Sequence, residues 1–289
     1  MTALQTKRGR IDSHVHFWHV DQTGFIPISR GISALQRSFL PKDLKDEAHS
    51  LGVEQVVLVE AAPNVEETEF VLDLSKNDPF IAAVIGWVDL DLPVPQTESR
   101  IEQYQSYPKF RGIRSFSPGG FDGRWLSGEN PIANYRWLHE NGLSCEFLIN
   151  CIQLGQVNEL IKQISGFRPL INHGARPFVV TGELEPWAGE MRQLANDTEA
   201  LCKVSALAER AGVEWTTDTL YPYVATLVDV FGPDRLMFGS NWPVMTIMAT
   251  YRRWIDSLDE ILQRIGLDDA AQSAIYSGTA KRFYRIQEN

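Results

Sequence analysis

The sequence contains only three cysteines in 289 residues, Cys145, Cys151 and Cys202. Their odd number and spacing fit neither a zinc knuckle nor a C-x-x-C redox pair, so we expect buried thiols in a reducing compartment. Long apolar runs are also missing, because the longest, FIAAVIGWV, is too short to cross a bilayer. The polar, basic start MTALQTKRGR has no apolar segment behind it and does not resemble a signal peptide. These absences predict a soluble, cytoplasmic protein with no membrane partner.

The sequence has fewer basic than acidic residues. Lys and Arg number 27 against 37 Asp and Glu, which gives a formal net charge of −10 and a pI of about 5.1. An acidic protein repels nucleic-acid phosphates and anionic membranes, so we expect no nucleic-acid partner. The apolar fraction of 44% is ordinary for a globular protein with a substantial core. A small-molecule partner remains the natural expectation.

The sequence also lacks a linker, a low-complexity segment and a G-x-G-x-x-G motif. Eight short apolar runs recur along it, each with the length of a strand and several rich in Val, Ile and Phe. They are RIDSHVHFW, QVVLVEAA, FIAAVIGWVDL, FRGIRSFS, LSCEFLIN, RPLINHG, ALCKVSAL and RLMFGSNWP. Segments of helical periodicity, such as NVEETEFVLDLSKN and LGQVNELIKQIS, separate them. Strands that alternate with helices indicate a parallel sheet.

Eight such units predict a single (β/α)8 TIM barrel over residues 1–289. A doubly wound open sheet is the alternative, but it would usually carry a glycine-rich turn after its first strand. In a barrel the active site forms at the carboxyl ends of the strands. His14 and His16 lie two apart on the first strand and therefore project from the same face. Polar residues late in other runs complete the candidate set: Glu60, Arg111, Arg114, Asn172, His173 and Asn241.

The order of these motifs resembles a known family. IDSHVHFW, GWVDL, KFRGIR, NHGARP, CKVSAL, FGPDRLMFGSNWPV and AKRFYRI are similar to the amidohydrolase superfamily, within its branch of fuconolactonase-like and pyrone-dicarboxylate-lactonase-like enzymes. The resemblance extends from Arg10 to Ile286. It implies a (β/α)8 barrel and hydrolysis of a cyclic ester without a required metal.

The metal-binding pattern of the superfamily is incomplete here. The resemblance implies that metal-dependent members join H-x-H to a lysine or glutamate on strand 4, histidines on strands 5 and 6 and an aspartate on strand 8. This sequence has no such residue at the end of strand 4, no histidine in CEFLIN, and Asn241 in place of the aspartate. We therefore expect no required cofactor. A single divalent metal such as Zn, if present, would bind His14 and His16, with His173 or Glu60 as a further ligand.

Asn241 is the most consequential departure from the family, because an amide cannot take a proton from water. In the resembled enzymes the strand-8 aspartate is the usual base. One interpretation makes another group the base: Glu60 first, because burial would raise its pKa, and His173 second. Another is that Asn241 is an engineered substitution that traps substrate. A third is that the chain binds a ligand without catalysis. Asn172 also stands where the branch often has aspartate.

The remaining candidates concern the substrate. Arg111, Arg114 and Arg176 would grip carboxylates, which suggests an anionic or sugar-acid lactone. Four tryptophans are candidates for the walls of the site: Trp18, Trp87, Trp125 and Trp242.

The sequence thus predicts a hydrolase that opens a small anionic or sugar-acid lactone at the C-terminal face of the barrel. His14, His16 and His173 would bind the lactone carbonyl or position water, and Asn241 would hold water or substrate. The alternatives are a lactone isomerase, a metal-dependent decarboxylase on the same barrel, and a non-catalytic binding barrel.

Overall fold

A computed structural model describes residues 9–21, 31–115 and 126–287 of the chain. Each of the eight apolar runs forms a parallel strand at the expected place. The strands are β1 (Arg10–Val15), β2 (Val53–Val59), β3 (Ile81–Gly86), β4 (Phe110–Ser115), β5 (Ser144–Phe147), β6 (Leu170–Ile171), β7 (Leu201–Val204) and β8 (Leu236–Phe238). They are hydrogen-bonded in sequence order from β1 to β8.

Helices connect successive strands or follow the last one. They are α1 (Lys45–Ser50), α2 (Val65–Ser75), α3 (Val94–Gln105), α4 (Glu129–Glu140), α5 (Leu154–Lys162), α6 (Trp187–Asp197), α7 (Leu207–Ala211), α8 (Thr217–Phe231), α9 (Tyr251–Ile265), α10 (Asp269–Ser273) and α11 (Thr279–Tyr284). A π-helical turn, Ala274–Gly278, joins the last two. No helix among the described residues is both long and apolar enough to span a membrane.

The barrel closes between its first and last strands. The backbone N–H of Asn241 donates to the His14 carbonyl at 2.9 Å, and that of His16 donates to the Trp242 carbonyl at 2.8 Å. The hydroxyl of Ser13 donates to the Phe238 carbonyl at 2.6 Å. This seam completes the (β/α)8 barrel predicted from the sequence.

Two groups of apolar side chains fill the molecule. The larger lies between the sheet and the surrounding helices and includes Val56 and Leu58. The smaller contains the alternate residues Val57 and Val59, as expected for side chains that point into a barrel. Tyr284 of α11 joins this inner group, so the last helix covers the amino-terminal end of the barrel. The carboxyl end is left for polar groups.

Candidate active site

A cavity of about 360 Å³ opens at the carboxyl ends of the strands. Six residues selected from the sequence line it together: His16, Glu60, Arg114, His173, Arg176 and Asn241. They follow or end strands β1, β2, β4, β6 and β8. A barrel strand brings its last side chains to this face, which is where barrel enzymes carry out their chemistry.

A chain of hydrogen bonds fixes His14 of β1 and His16, which directly follows that strand. Lys203 Nζ lies 3.1 Å from His14 Nδ1, and an ammonium group can only donate, so this nitrogen accepts. The proton of neutral His14 is then on Nε2, which lies 3.2 Å from His16 Nε2. His16 in turn donates from Nδ1 to the Val59 carbonyl at 2.8 Å. The partners therefore assign one tautomer to each ring.

All three histidines are neutral at pH 7. Burial, together with the Lys203 ammonium, lowers the pKa of His14 well below its usual range. Burial and the Arg114 guanidinium lower the pKa of His16 to about 3. Burial and Arg176 lower the pKa of His173 well below its usual range. These rings can donate or accept hydrogen bonds, but they do not supply positive charge.

Two buried ion pairs support the site. Lys203 Nζ contacts Glu146 Oε2 at 2.7 Å, and both side chains are fully buried. Arg114 Nε donates to Glu60 Oε1 at 2.6 Å, and its Nη2 donates to the Glu60 carbonyl at 2.6 Å. Burial raises the pKa of Glu60, against the lowering effect of Arg114. Its second oxygen, Oε2, is buried without a hydrogen-bond partner.

The backbone around the cavity is strained. After β6, four consecutive residues adopt positive φ: His173 at 58°, Gly174 at 57°, Ala175 at 58° and Arg176 at 54°. The left-handed region costs a residue with a side chain about 1–2 kcal/mol. This turn directs both His173 and Arg176 to the cavity, and His173 Nδ1 lies 2.8 Å from Ser205 Oγ. Strain of this kind concentrates at functional sites.

Two charged residues of the cavity were missed in the sequence, Glu209 and Arg210 of α7. Asn241 Nδ2 donates to Glu209 Oε1 at 2.9 Å. Burial raises the pKa of Glu209 to about 7. The sequence candidates lie at strand ends, whereas α7 begins soon after β7 ends and returns to the cavity. A search of the first helical turn after each strand would have found both residues.

Arg111 does not reach the cavity. It is the second residue of β4, at the opposite end of the barrel from the cavity. Its Nε donates to the Tyr284 carbonyl at 2.6 Å, and its Nη1 donates to the carbonyls of Pro108 at 2.6 Å and Phe110 at 2.9 Å. The assignment of Arg111 to substrate binding is therefore corrected: its guanidinium binds backbone that covers the bottom of the barrel.

Three other residues proposed for substrate binding also lie off the cavity wall. Trp18 is buried against Phe39, with its indole N–H donating to the Arg37 carbonyl at 2.7 Å. The ring of Trp242 packs against the same phenylalanine, with a centroid distance of 5.4 Å. Asn172 is fully buried, with neither amide atom hydrogen-bonded.

The remaining two tryptophans proposed as walls are Trp87 and Trp125. Trp87 is not part of the cavity lining. Trp125 lies outside the described residues.

The histidine pair was tested as a metal site. The 3.2 Å between His14 Nε2 and His16 Nε2 would suit two ligands of one ion. However, no group of three His, Cys, Asp or Glu side chains able to hold a metal occurs within the described ranges. A catalytic zinc normally has three protein ligands. The Lys203 ammonium beside His14 also opposes added positive charge. This donor set does not fit a resident catalytic zinc.

The chain is similar to known proteins over nearly its whole length. The sequence profile of the amidohydrolase family matches residues 11–286. The chain belongs to the amidohydrolase family. This confirms the resemblance drawn from its motifs. An L-fucono-1,5-lactonase of Burkholderia ambifaria is 32% identical to this amidohydrolase over 286 residues, covering 96% of each chain.

Solved structures agree with the family assignment. Two crystal structures of an amidohydrolase from Burkholderia multivorans, one with bound HEPES and one with bound Zn, share 29% identity and a TM-score of 0.88 with this chain. The match covers 96% of this chain and 99% of theirs. A probable 2-pyrone-4,6-dicarboxylic acid hydrolase from Acinetobacter baumannii has a TM-score of 0.77 at 17% identity, over 96% of this chain and 99% of its own, and supports the fold alone.

Proposed function

We propose that this amidohydrolase hydrolyses a small sugar-acid lactone, or an anionic lactone of similar size, at the C-terminal face of its barrel. The observation that carries the proposal is a cavity that unites neutral histidines, a buried arginine and carboxyl groups of raised pKa. The L-fucono-1,5-lactonase relative, similar over nearly the whole chain, supports the same reaction class.

Lactone hydrolysis needs a base for water, donors for the developing oxyanion and a proton for the leaving oxygen. Water attacks the carbonyl carbon, the ring C–O bond breaks, and the products are one carboxylic acid and one hydroxyl group. Arg114, the last residue but one of β4, lines the cavity and is placed to stabilise negative charge on the carbonyl oxygen. Ser205 engages Nδ1 of His173, which leaves Nε2 of that ring for the substrate. A cavity carboxylate takes the water proton and returns it to the leaving alkoxide.

The size and charge of the cavity favour a compact, oxygen-rich substrate. Its volume of about 360 Å³ is near the lower limit of small-molecule sites, which span roughly 300–1,000 Å³. Arg114, Arg176 and Arg210 all line the cavity. Guanidinium groups in this position suit a carboxylate or several hydroxyl oxygens on a single ring.

The proposed reaction requires no metal. Lys203 holds Nδ1 of His14, and the Nε2 atoms of His14 and His16 face each other within hydrogen-bond distance. These contacts give both histidines a structural partner and fix their orientation. The neutral rings then shape the floor beneath the substrate.

Acid release from a panel of lactones tests this function. The panel contains sugar-acid lactones and 2-pyrone-4,6-dicarboxylate, the protein is treated with chelator, and each rate is corrected for spontaneous hydrolysis. We expect rapid acid release from at least one compound, and a loss of at least about a hundredfold in His173→Gln. Glu214→Gln serves as the control, because Glu214 is exposed and outside the cavity lining.

Other outcomes would contradict the proposal in distinct ways. Activity that appears only after Zn is added would refute the metal-free reaction. A product that is still a lactone would indicate an isomerase, and release of carbon dioxide would indicate a decarboxylase. Binding without turnover of any compound would leave the non-catalytic barrel.

A further inference from the structure

The side chain of Asn241 is oriented by Glu209. Since a carboxylate oxygen accepts, the contact of 2.9 Å to Glu209 Oε1 must come from the amide nitrogen, Nδ2. The carbonyl oxygen, Oδ1, then faces away from Glu209 and is buried without a hydrogen-bond partner. Both residues line the cavity. Asn241 thus holds the Glu209 carboxyl group at the cavity wall.

Asn241 has a backbone suited to this task. Its φ of 65° lies in the left-handed region, which asparagine tolerates better than most residues. The turn directly after β8 directs its side chain toward α7, where Glu209 is located. Glu209 itself lines the cavity, so a water molecule there can reach its carboxyl group. The amide of Asn241 cannot take a proton from that water, whereas the carboxylate can.

Glu60 is less suited to the role of base. Its Oε1 accepts a charge-assisted hydrogen bond of 2.6 Å from Arg114, which stabilises the carboxylate and weakens it as a proton acceptor. Glu209 has a neutral amide as its side-chain partner instead. The structure therefore favours Glu209 over the residue that the sequence suggested.

The surroundings of Glu209 include groups from several elements. Arg176 follows β6 and lowers the pKa of Glu209, though less than burial raises it. Arg210 is its neighbour on α7, and His173, His16 and the Glu60–Arg114 pair line the same cavity. The histidines are neutral, so the arginines are the cationic groups near it.

We propose that Glu209 is the general base of this site and that the Asn241 amide holds its carboxyl group in place. The inference rests on the proposed lactone hydrolysis and deepens it. Glu209 accepts a proton as the water oxygen bonds to the carbonyl carbon, and the same proton passes to the ring oxygen when the C–O bond breaks. The proposed base therefore lies on the helix after β7, whereas the resembled enzymes have an aspartate at the end of β8.

Kinetics of Glu209→Gln, Asn241→Asp and the double variant test the proposal, with Glu214→Gln as the matched control. We expect Glu209→Gln to lower kcat by about 10²–10⁴ with little change in KM, since general-base catalysis is worth that much. The double variant should regain at least about tenfold, because it restores a carboxylate at the neighbouring position on the cavity wall. The wild-type rate should fall below about pH 7, and this acidic limb should vanish in Glu209→Gln.

Two kinetic outcomes would overturn the assignment. One is a Glu209→Gln enzyme that keeps its kcat and its acidic limb. The other is a Glu209→Gln enzyme whose lost activity is not restored by adding Asn241→Asp. Glu209 would then act only by holding Asn241.

A titration by carbon NMR separates this inference from the lactone reaction itself. In protein labelled at glutamate carboxyl carbons, we expect one resonance to titrate near pH 7 and to be missing in Glu209→Gln. Without such a resonance the base assignment fails, even if lactones are opened. If the resonance is present but no lactone is opened, the proposed lactone reaction is wrong, while the assignment of Glu209 as the base is retained.

Discussion

The raised pKa of Glu209 predicts that this residue destabilises the native protein at neutral pH. In the unfolded chain its carboxyl group would ionise near pH 4.5, whereas in the folded cavity it ionises near pH 7. Below pH 4.5 both states are protonated and the residue makes no difference. Between pH 4.5 and pH 7 the unfolded chain ionises this carboxyl group while the folded state keeps it protonated, so the free energy of unfolding falls across this range and levels off above pH 7.

The magnitude follows from the two pKa values. The difference between about 7 and 4.5, at about 1.36 kcal/mol per pH unit, amounts to about 3 kcal/mol. Glutamine has nearly the same shape but does not ionise, so Glu209→Gln should escape this loss. Its free energy of unfolding, relative to wild type, should increase by about 3 kcal/mol between pH 4.5 and pH 8.

Urea denaturation of both proteins at several pH values measures this difference. Asp12, whose pKa burial raises to about 6, titrates in the same range, but it is present in both proteins and cancels. Glu214→Gln should follow the wild type at every pH. A difference between Glu209→Gln and wild type that stays constant from pH 4.5 to pH 8 would refute the reasoning, because Glu209 would then ionise alike in both states.

Three further changes test other parts of the structure. Arg111→Ala should lower the free energy of unfolding by about 2 kcal/mol without changing KM, because charged hydrogen bonds contribute roughly 1.5–3 kcal/mol. A tenfold rise in KM would instead show that Arg111 binds substrate. Arg114→Ala, by contrast, should show that rise. Lys203→Met should lower the free energy of unfolding in urea by about 3–5 kcal/mol, because it leaves the buried Glu146 without its cation. Adding Glu146→Gln should recover part of this loss. If the double variant recovers none of it, the ion-pair explanation is wrong. Gly239→Ala would place a Cβ 2.9 Å from the Cβ of His14. We therefore expect kcat to fall at least about tenfold, with a loss of about 1–3 kcal/mol in the free energy of unfolding. An unchanged kcat would show that His14 need not be held in place.

The sequence predicted the fold well because each strand is a short apolar run between helical segments. Even β6, with two residues, lies inside its predicted run RPLINHG. The strand-end rule also selected His16, Glu60, Arg114, His173 and Asn241, which line the cavity. Local periodicity determines both outcomes, since it sets where a strand ends and which side chains face inward.

The errors have physical causes that local pattern does not carry. Arg111 and Arg114 are three apart, so on a straight strand they point to opposite faces and cannot share one site. Trp18 is a large aromatic residue beside the histidines, yet it packs under Phe39. Glu209 was missed because only the folded chain brings α7 against Asn241. Long-range contacts of this kind cannot be predicted from the spacing of residues that are close in sequence.

The seam between β1 and β8 makes the site a product of complete folding. His14 and His16 are joined to the segment around Asn241 by backbone hydrogen bonds, and Ser13 to Phe238 across a sequence separation of 225 residues. Contacts that distant form slowly, because a long loop must close before they are gained. A partly folded barrel with an open seam would have neither the histidine chain nor the Asn241–Glu209 pair. Hydrogen exchange at the amides of His16 and Asn241 would therefore report how often the molecule opens and loses its active centre.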